Sequence, residues 1–282
     1  MSKQKIVVFG TGGTIAGKAA SMSDNVGYKA GEVAIGELLA NIPGMQAALH
    51  GHELVAQQVA QIDSKDMGFD VWRALAMGCR DAMADPEVRG IVITHGTDTL
   101  EETAWFLQSI LSPEIPVVLT SAMRPSTALS PDGPQNLLDA VAVALEPDAG
   151  GVLAVAAGAV HEARWVHKAF PYRVDAFSSG EPGPCGWVEE GRVRWARRPS
   201  TQASSTHTAL LNDLPAVQGW PWVEVVLSAA GVSGRAVDAL VDAQVKGLVV
   251  ASTGNGSLHH ELKDALLRAS ERGVRVVKAT RC

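Results

Sequence analysis

Lys5-Ile-Val-Val-Phe-Gly-Thr-Gly-Gly-Thr-Ile-Ala-Gly17 is the stretch that decides the fold. Ile6 to Phe9 is a short apolar run with no polar break, the pattern of a strand buried on both faces of a parallel sheet. It stops in Gly10-Thr11-Gly12-Gly13-Thr14. The glycines there let the backbone turn sharply and let a ligand approach main-chain N–H groups. Thr11 and Thr14 put two hydroxyls into that turn. Open α/β folds bind ligands at the carboxyl ends of their strands, so this turn is the candidate active site. A dinucleotide fingerprint G-x-G-x-x-G fails here, because after Gly10 and Gly12 the third glycine falls on Ile15. A phosphate loop is matched by Gly12, Gly17 and Lys18, but Ala19 stands where the magnesium-binding hydroxyl belongs. An ordinary strand-to-loop glycine turn is the plain alternative.

Outward from this stretch the same unit recurs. Residues 18 to 34 are small and polar and read as a mobile loop of the kind that acts as a lid. A short helix is expected over 35 to 41, ended by Pro43-Gly44, and a strand over 53 to 60. Gln61 to Asp66 is the next strand-to-helix turn, and Val71, Leu75, Cys79 and Ala82 mark a helix over 67 to 84. Gly90 to Thr94 is a second buried strand. It leads into His95-Gly96-Thr97-Asp98-Thr99 and a helix through Leu100, Ala104, Leu107 and Leu111, with Glu101 and Glu102 favoured in its first turn by the helix dipole. A strand over 115 to 121, a helix through Leu138, Val141 and Leu145, and a strand over 151 to 157 follow. This alternation predicts an α/β fold with a doubly wound, mostly parallel sheet. Residues 158 to 198 break the pattern with a hairpin at Trp187-Val188 and Val193 to Trp195. A Ser-, Thr- and Ala-rich linker at 200 to 215 separates a larger N-terminal domain, 1 to 199, from a smaller C-terminal α/β domain, 216 to 282. There the expected order is strand 222–227, a helix through Val237 and Val241, strand 247–251, helix 258–269 and strand 274–278.

Composition narrows the function classes. The 282 residues are 46% hydrophobic and 19% charged, and no apolar run approaches the ~18 residues of a membrane span. Met1 to Lys5 runs straight into the first strand without an apolar h-region and cleavage site, so no signal peptide is expected and the cytoplasm is the default location. The net charge is −6. The densest basic cluster, Arg192, Arg194, Arg197 and Arg198, follows Glu189 and Glu190 and reads as a solvated hairpin. Neither a nucleic acid nor a membrane is an expected partner. Cys79, Cys185 and Cys282 are far apart and give no disulfide framework. His50-Gly-His52 and His259-His260 lack a third ligand, so no metal and no cofactor are expected.

Four strand ends carry polar chemistry: Thr11 and Thr14, then Asp63, Ser64 and Asp66, then Thr97 and Asp98, and beyond the fifth strand Lys168. In a parallel sheet these ends line one edge and can share a cleft. A threonine hydroxyl becomes a nucleophile when a neighbouring base takes its proton. A lysine serves as that base only with a lowered pKa, and Asp98 pulls the other way, so the acceptor stays open at this level. Each residue also has a plainer reading. Thr97-Asp98 and Ser64-Asp66 suit helix N-caps, Lys168 a surface lysine, and Tyr28 a packed loop anchor.

Two segments, Thr11-Gly-Gly-Thr-Ile-Ala-Gly17 and His95-Gly-Thr-Asp-Thr-Leu-Glu-Glu-Thr-Ala104, resemble the signature segments of bacterial-type L-asparaginases. Tyr28 to Gly31, Asp63 to Met67, Ala122 to Thr127 with Asp132-Gly-Pro134, and Thr253 to Gly256 match in the same order. The resemblance implies hydrolysis of L-asparagine, with side activity on L-glutamine, through an acyl-enzyme on Thr14. It implies Tyr28 as the lid tyrosine over that nucleophile, and Thr97 with Lys168 and Asp98 as the second catalytic group. Ser64 and Asp98 match the groups that hold the α-carboxylate and α-ammonium, with Gly13, Asp63 and Gly96 completing the substrate-contacting set. A homotetramer built from dimers is implied as well. Two departures stand out. Lys65 replaces a glutamine common in secreted relatives near the α-ammonium, which a lysine repels. The family's chains also run some tens of residues beyond a segment like Val274 to Cys282, and that tail supplies a glutamate to a neighbouring subunit's site. Two rival readings follow: a catalytically weak amino-acid-binding or regulatory homologue with an incomplete shared site, and the amidase subunit of a tRNA-dependent amidotransferase. The acidic charge and the lack of an extra N-terminal RNA-working domain speak against the second.

Overall fold

In the computed structural model, which describes residues 4–24, 27–111, 113–199 and 214–282, the opening apolar run is strand β1 (Lys5–Gly12). Its side chains alternate between two cores. Ile6 and Val8 pack with Val92 and with helices α1 (Ile35–Ala40), α2 (Met45–Ala48) and α5 (Gly133–Leu145). Val7 and Phe9 pack with Ile91, Ile93 and helices α3 (Phe69–Met83) and α4 (Leu100–Leu111). A strand covered on both faces has no polar side, which explains why the run is uniformly apolar.

Strands β2 (Glu53–Ile62), β3 (Val88–Thr94), β4 (Val117–Thr120) and β5 (Val152–Ala156) run parallel with β1 in the spatial order β5-β4-β3-β1-β2. The chain thus leaves β1 for the edge strand β2 and then returns to β3 on the other flank of β1. The crevice between the ends of β1 and β3 is the topological switch point, where doubly wound sheets form their binding sites. Strand β6 (Ala159–Glu162) turns antiparallel against β5, and the hairpin β9 (Gly186–Glu189) and β10 (Arg192–Trp195) extends the sheet to eight strands. Between them β7 (His167–Lys168) and β8 (Phe177–Ser178) form a separate two-stranded ribbon. The expected hairpin is present, but β6 joins it to the main sheet instead of leaving a break. Four residues give too short an alternation to register as a strand. The four-residue α2 escaped the sequence for the same reason.

The chain divides into two compact units, 1–214 and 215–282. Residues 200–213 of the expected linker lie outside the described residues. The smaller unit is a parallel sheet, β11 (Val223–Leu227), β12 (Gly247–Ser252) and β13 (Arg275–Thr280), in that order. Val226, Leu248 and Val250 pack there on α6 (Arg235–Asp242) and α7 (His260–Glu271) through Val237, Val241, Leu262 and Leu266.

His161 on β6 ties the main sheet to the segment after β8, with Nδ1 2.7 Å from Ser179 Oγ. Burial lowers its pKa from 6.5 to about 4, with the charge of His167 a smaller cause. Between pH 6.5 and 4 the unfolded chain therefore takes up a proton that the folded chain refuses, so stability falls as pH falls through that window. We predict that this one group contributes about 3 kcal/mol of acid destabilisation across the window. Urea midpoints measured against pH check it: His161→Asn should flatten that part of the profile, and an unchanged slope would refute the assignment.

Candidate active site

Beyond β1 the backbone enters a positive-φ glycine, Gly13 (φ 78°), and then a 3₁₀ turn, Thr14–Ala16. Gly13 N–H donates to Ile62 C=O at 2.8 Å, which anchors the turn to the end of β2. Thr11 Oγ1 donates to Thr94 C=O at 2.8 Å, so this hydroxyl fastens β1 to β3 and is committed to structure. The turns themselves are in contact. A Cβ on Gly13 would collide with the Gly96 backbone, and a Cβ on Gly96 would collide with the Ser64 hydroxyl. Glycine is required at both places because three strand ends meet there without room for a methyl group.

Hydrogen bonds fix the groups around this junction. Ser64 Oγ accepts from Asp98 N–H at 3.1 Å, and Ser64 C=O accepts from Thr99 Oγ1 at 2.7 Å. Lys168 Nζ, on the separate ribbon, donates to Thr97 Oγ1 at 2.8 Å and to Asp98 Oδ1 at 2.6 Å. The Lys168 N–H donates to the Glu101 carboxylate, which seats the ribbon on the first turn of α4. Thr97 and Ser64 are buried, the Lys168 side chain is mostly buried, and the Asp98 side chain is half exposed. Ser64, Thr97 and Asp98 therefore bridge elements. The cap of the 3₁₀ turn Ser64–Asp66 is instead Asp63, which the cap reading had not named and whose carboxylate accepts from Lys65 N–H at 3.4 Å.

Thr14 is buried, and its Oγ1 lies 2.5 Å from Tyr28 Oη, with either hydroxyl free to donate. Tyr28 reaches it from the loop expected to be a lid, and that loop is tied down in several places. Lys18 and Lys29 form a two-way backbone bridge, Gly31 N–H donates to Gly13 C=O at 3.2 Å, and Ala19 N–H donates to Thr127 Oγ1 at 2.9 Å. Ser126 Oγ donates to Gly17 C=O at 2.8 Å. The loop bearing Ser126 is in turn shaped by Asp132, whose carboxylate accepts the N–H groups of Met123 and Arg124, both at 2.9 Å. Lys65 is exposed and turned onto its own acidic neighbours, 3.1 Å from Asp63 Oδ2 and 2.8 Å from Asp66 Oδ2. Among the described residues no group of His, Cys, Asp or Glu is arranged to hold a metal ion, and no helix is long and apolar enough to cross a membrane.

One side chain behind the site, Trp72, had no part in the sequence reading, and two others, His95 and Thr103, figured there only as letters of a motif. His95 is fully buried, with Nδ1 2.7 Å from Gly96 C=O and Nε2 2.8 Å from Thr103 Oγ1. Trp72 Nε1 donates to the same Thr103 hydroxyl at 2.8 Å. Burial depresses the His95 pKa to about 4, against a smaller opposing effect of the Gly96 carbonyl. The one available sequence signal was Thr103 itself, a hydroxyl inside the apolar stripe Leu100, Ala104, Leu107.

The site thus combines a buried hydroxyl under a tyrosine, a second hydroxyl paired with a lysine and an aspartate, and a junction of glycine turns. Known proteins resemble the chain along almost its whole length. Residues 5–201 match the family model "Asparaginase, N-terminal", and residues 222–282 match "Glutaminase/Asparaginase C-terminal domain". The chain is 36% identical to the glutaminase-asparaginase of Pseudomonas fluorescens biotype A, over 98% of this chain and 75% of that protein. It is also 36% identical to L-asparaginase 2 of Escherichia coli K12, over 98% and 77%. The crystal structure of a probable cytoplasmic L-asparaginase from Campylobacter jejuni superposes with a TM-score of 0.91 at 37% identity, covering 99% of this chain and 84% of that one. With both halves matched and near-complete coverage by such relatives, the chain belongs to the asparaginase family of amidohydrolases.

Proposed function

We propose that this protein hydrolyses L-asparagine to L-aspartate and ammonia, with Thr14 as the nucleophile. The observation that carries the reading is the short Thr14–Tyr28 hydroxyl pair at the switch point, next to the Lys168–Thr97 pair. Thr14 Oγ1 attacks the side-chain amide carbon as its proton passes to Tyr28 Oη, its hydrogen-bond partner, which hands its own hydroxyl hydrogen on to the amide nitrogen. The carbon–nitrogen bond breaks, the nitrogen takes up a proton and leaves as ammonia, and the aspartyl ester on Thr14 remains. Water, polarised by the Thr97–Lys168 pair, then cleaves that ester and returns the proton to Thr14. We assign the oxyanion that develops in each step to backbone N–H groups of the glycine turns other than that of Gly13, which is given to Ile62.

Recognition of the amino-acid end follows from charge. Asp98 is half exposed beside Lys168 and offers a carboxylate to the α-ammonium, while the Ser64 hydroxyl, against Gly96, is assigned the α-carboxylate, with Gly13 and Asp63 in the same contact set. Fixing both ends around the reacting amide is what makes attack effectively intramolecular. Glutamine is longer by one methylene, a difference a pocket discriminates by about 10- to 200-fold, so it is a side substrate. Relatives named glutaminase-asparaginase support that breadth. The same family likeness supports a homotetramer of paired dimers, and the Campylobacter jejuni neighbour supports action in the cytoplasm.

Two outcomes test the reading. Ammonia release from L-asparagine should fall on the order of 10⁴-fold or more in Thr14→Ala. A folded Thr14→Ala that retains its rate rules out the nucleophile, and a wild-type chain inert toward both amides rules out the activity. Because Lys65 is already paired with Asp63 and Asp66, Lys65→Gln should change kcat/KM for L-asparagine by less than about 5-fold, the scale of one exposed ion pair. A larger gain would mean that the lysine reaches the α-ammonium after all.

A further inference from the structure

Thr14, Tyr28, Lys168 and their neighbours leave a buried histidine unexplained. His95 is enclosed on every side, and its two nitrogens face two fixed partners. With a neutral ring, the donor directions in this cluster admit one arrangement. An indole N–H only donates and a backbone carbonyl only accepts. Trp72 therefore donates to Thr103 Oγ1, and Thr103 passes its own hydrogen to His95 Nε2, which must be unprotonated. The remaining ring hydrogen sits on Nδ1 and is given to Gly96 C=O. Full burial favours that neutral ring, as its lowered pKa reflects, and the two partners then fix the tautomer. Trp72 is itself held by stacking on Phe106, with ring centroids 4.8 Å apart and 14° between planes.

The chain of donors ends on a peptide that matters. In a planar trans peptide the C=O and the following N–H point in opposite directions. With Gly96 C=O drawn down onto the buried imidazole, the N–H of Thr97 faces away from it. Among the described residues that N–H has no acceptor within the chain, although Thr97 is only 6% exposed. The next N–H along, that of Asp98, is already given to Ser64 Oγ.

We propose that Trp72, Thr103 and His95 are positioning residues that lock the Gly96–Thr97 peptide so that the Thr97 N–H is presented to the oxyanion of the reacting amide. This role presupposes the asparaginase reading of Thr14 and adds to it three groups that never touch the substrate. A donor aimed in advance stabilises charge only as it develops, so its loss acts on the rate and not on substrate binding.

Thr103→Val keeps the shape and removes the hydroxyl, leaving the His95 ring free to turn. Its kcat for L-asparagine should fall about 10- to 100-fold with KM changed less than about 2-fold. Thr103→Ser, which restores the hydroxyl, should recover most of the rate. A folded Thr103→Val with wild-type kcat overturns the proposal, as does a rate loss that Thr103→Ser shares in full. A second measurement requires no variant: ¹⁵N-histidine spectra of the wild-type chain should show His95 as the neutral Nδ1–H tautomer between about pH 5 and 8. An Nε2–H tautomer or a charged ring in that range overturns the proposal independently of activity. A wild-type chain that releases no ammonia while His95 keeps the Nδ1–H form would instead break the asparaginase reading and leave the locked peptide in place.

Discussion

The close approach of Gly13 to Gly96, and of Gly96 to Ser64, is the constraint on which the rest of the site depends. Three successive strands of a parallel sheet end at that point, and their turns touch through backbone and a single hydroxyl. Because β1 is flanked by both β2 and β3, the turn that bears Thr14 receives a partner on each side. Gly13 leans on Ile62 through its N–H, while Thr11 reaches the end of β3. Interiors of this density transmit small displacements, so a side chain added at the junction moves all three turns at once.

Around this rigid centre the functional groups arrive from elements of unequal stiffness. Thr14, Ser64, Thr97 and Asp98 follow strands or start helices of the main layer. Lys168 comes on a two-stranded ribbon outside the eight-stranded sheet, and Tyr28 on a loop held at a handful of points. A site assembled in this way has a fixed floor and adjustable walls. On the proposed reading, the floor preorganises the backbone donors, and the walls supply the groups that exchange protons and admit the substrate.

How much of this the sequence disclosed varies by element, for physical reasons. The runs at Ile6–Phe9 and Gly90–Thr94 are buried on both faces and bounded by glycine turns, so strand and site announced themselves together. Strand order is another matter. The placement of β1 between β2 and β3 is a property of crossover connections that no local period records. β6 and α2, at four residues each, fall below the length at which alternation or helical spacing can be read. Within the site, the turn residues Thr14, Ser64, Thr97 and Asp98 were legible as hydroxyls and acids at strand ends. Lys168 was legible as a base beyond the fifth strand, but its pairing with Thr97 came only through the family likeness, because a lone lysine in an irregular stretch otherwise signals surface. The Trp72–Thr103 contact joins positions 31 residues apart, and nothing in either helix alone foretells it.

The tyrosine over Thr14 has a practical side. Tyr28 and Tyr172 are the only two tyrosines in the sequence. One phenol sits against Thr14, and the other is largely exposed to solvent. Replacing both with a fluorinated analogue during synthesis would give a spectrum of two lines, one from the lid and one from a built-in solvent reference. Loop position could then be followed directly in the turning-over protein, without attaching any foreign label to the site.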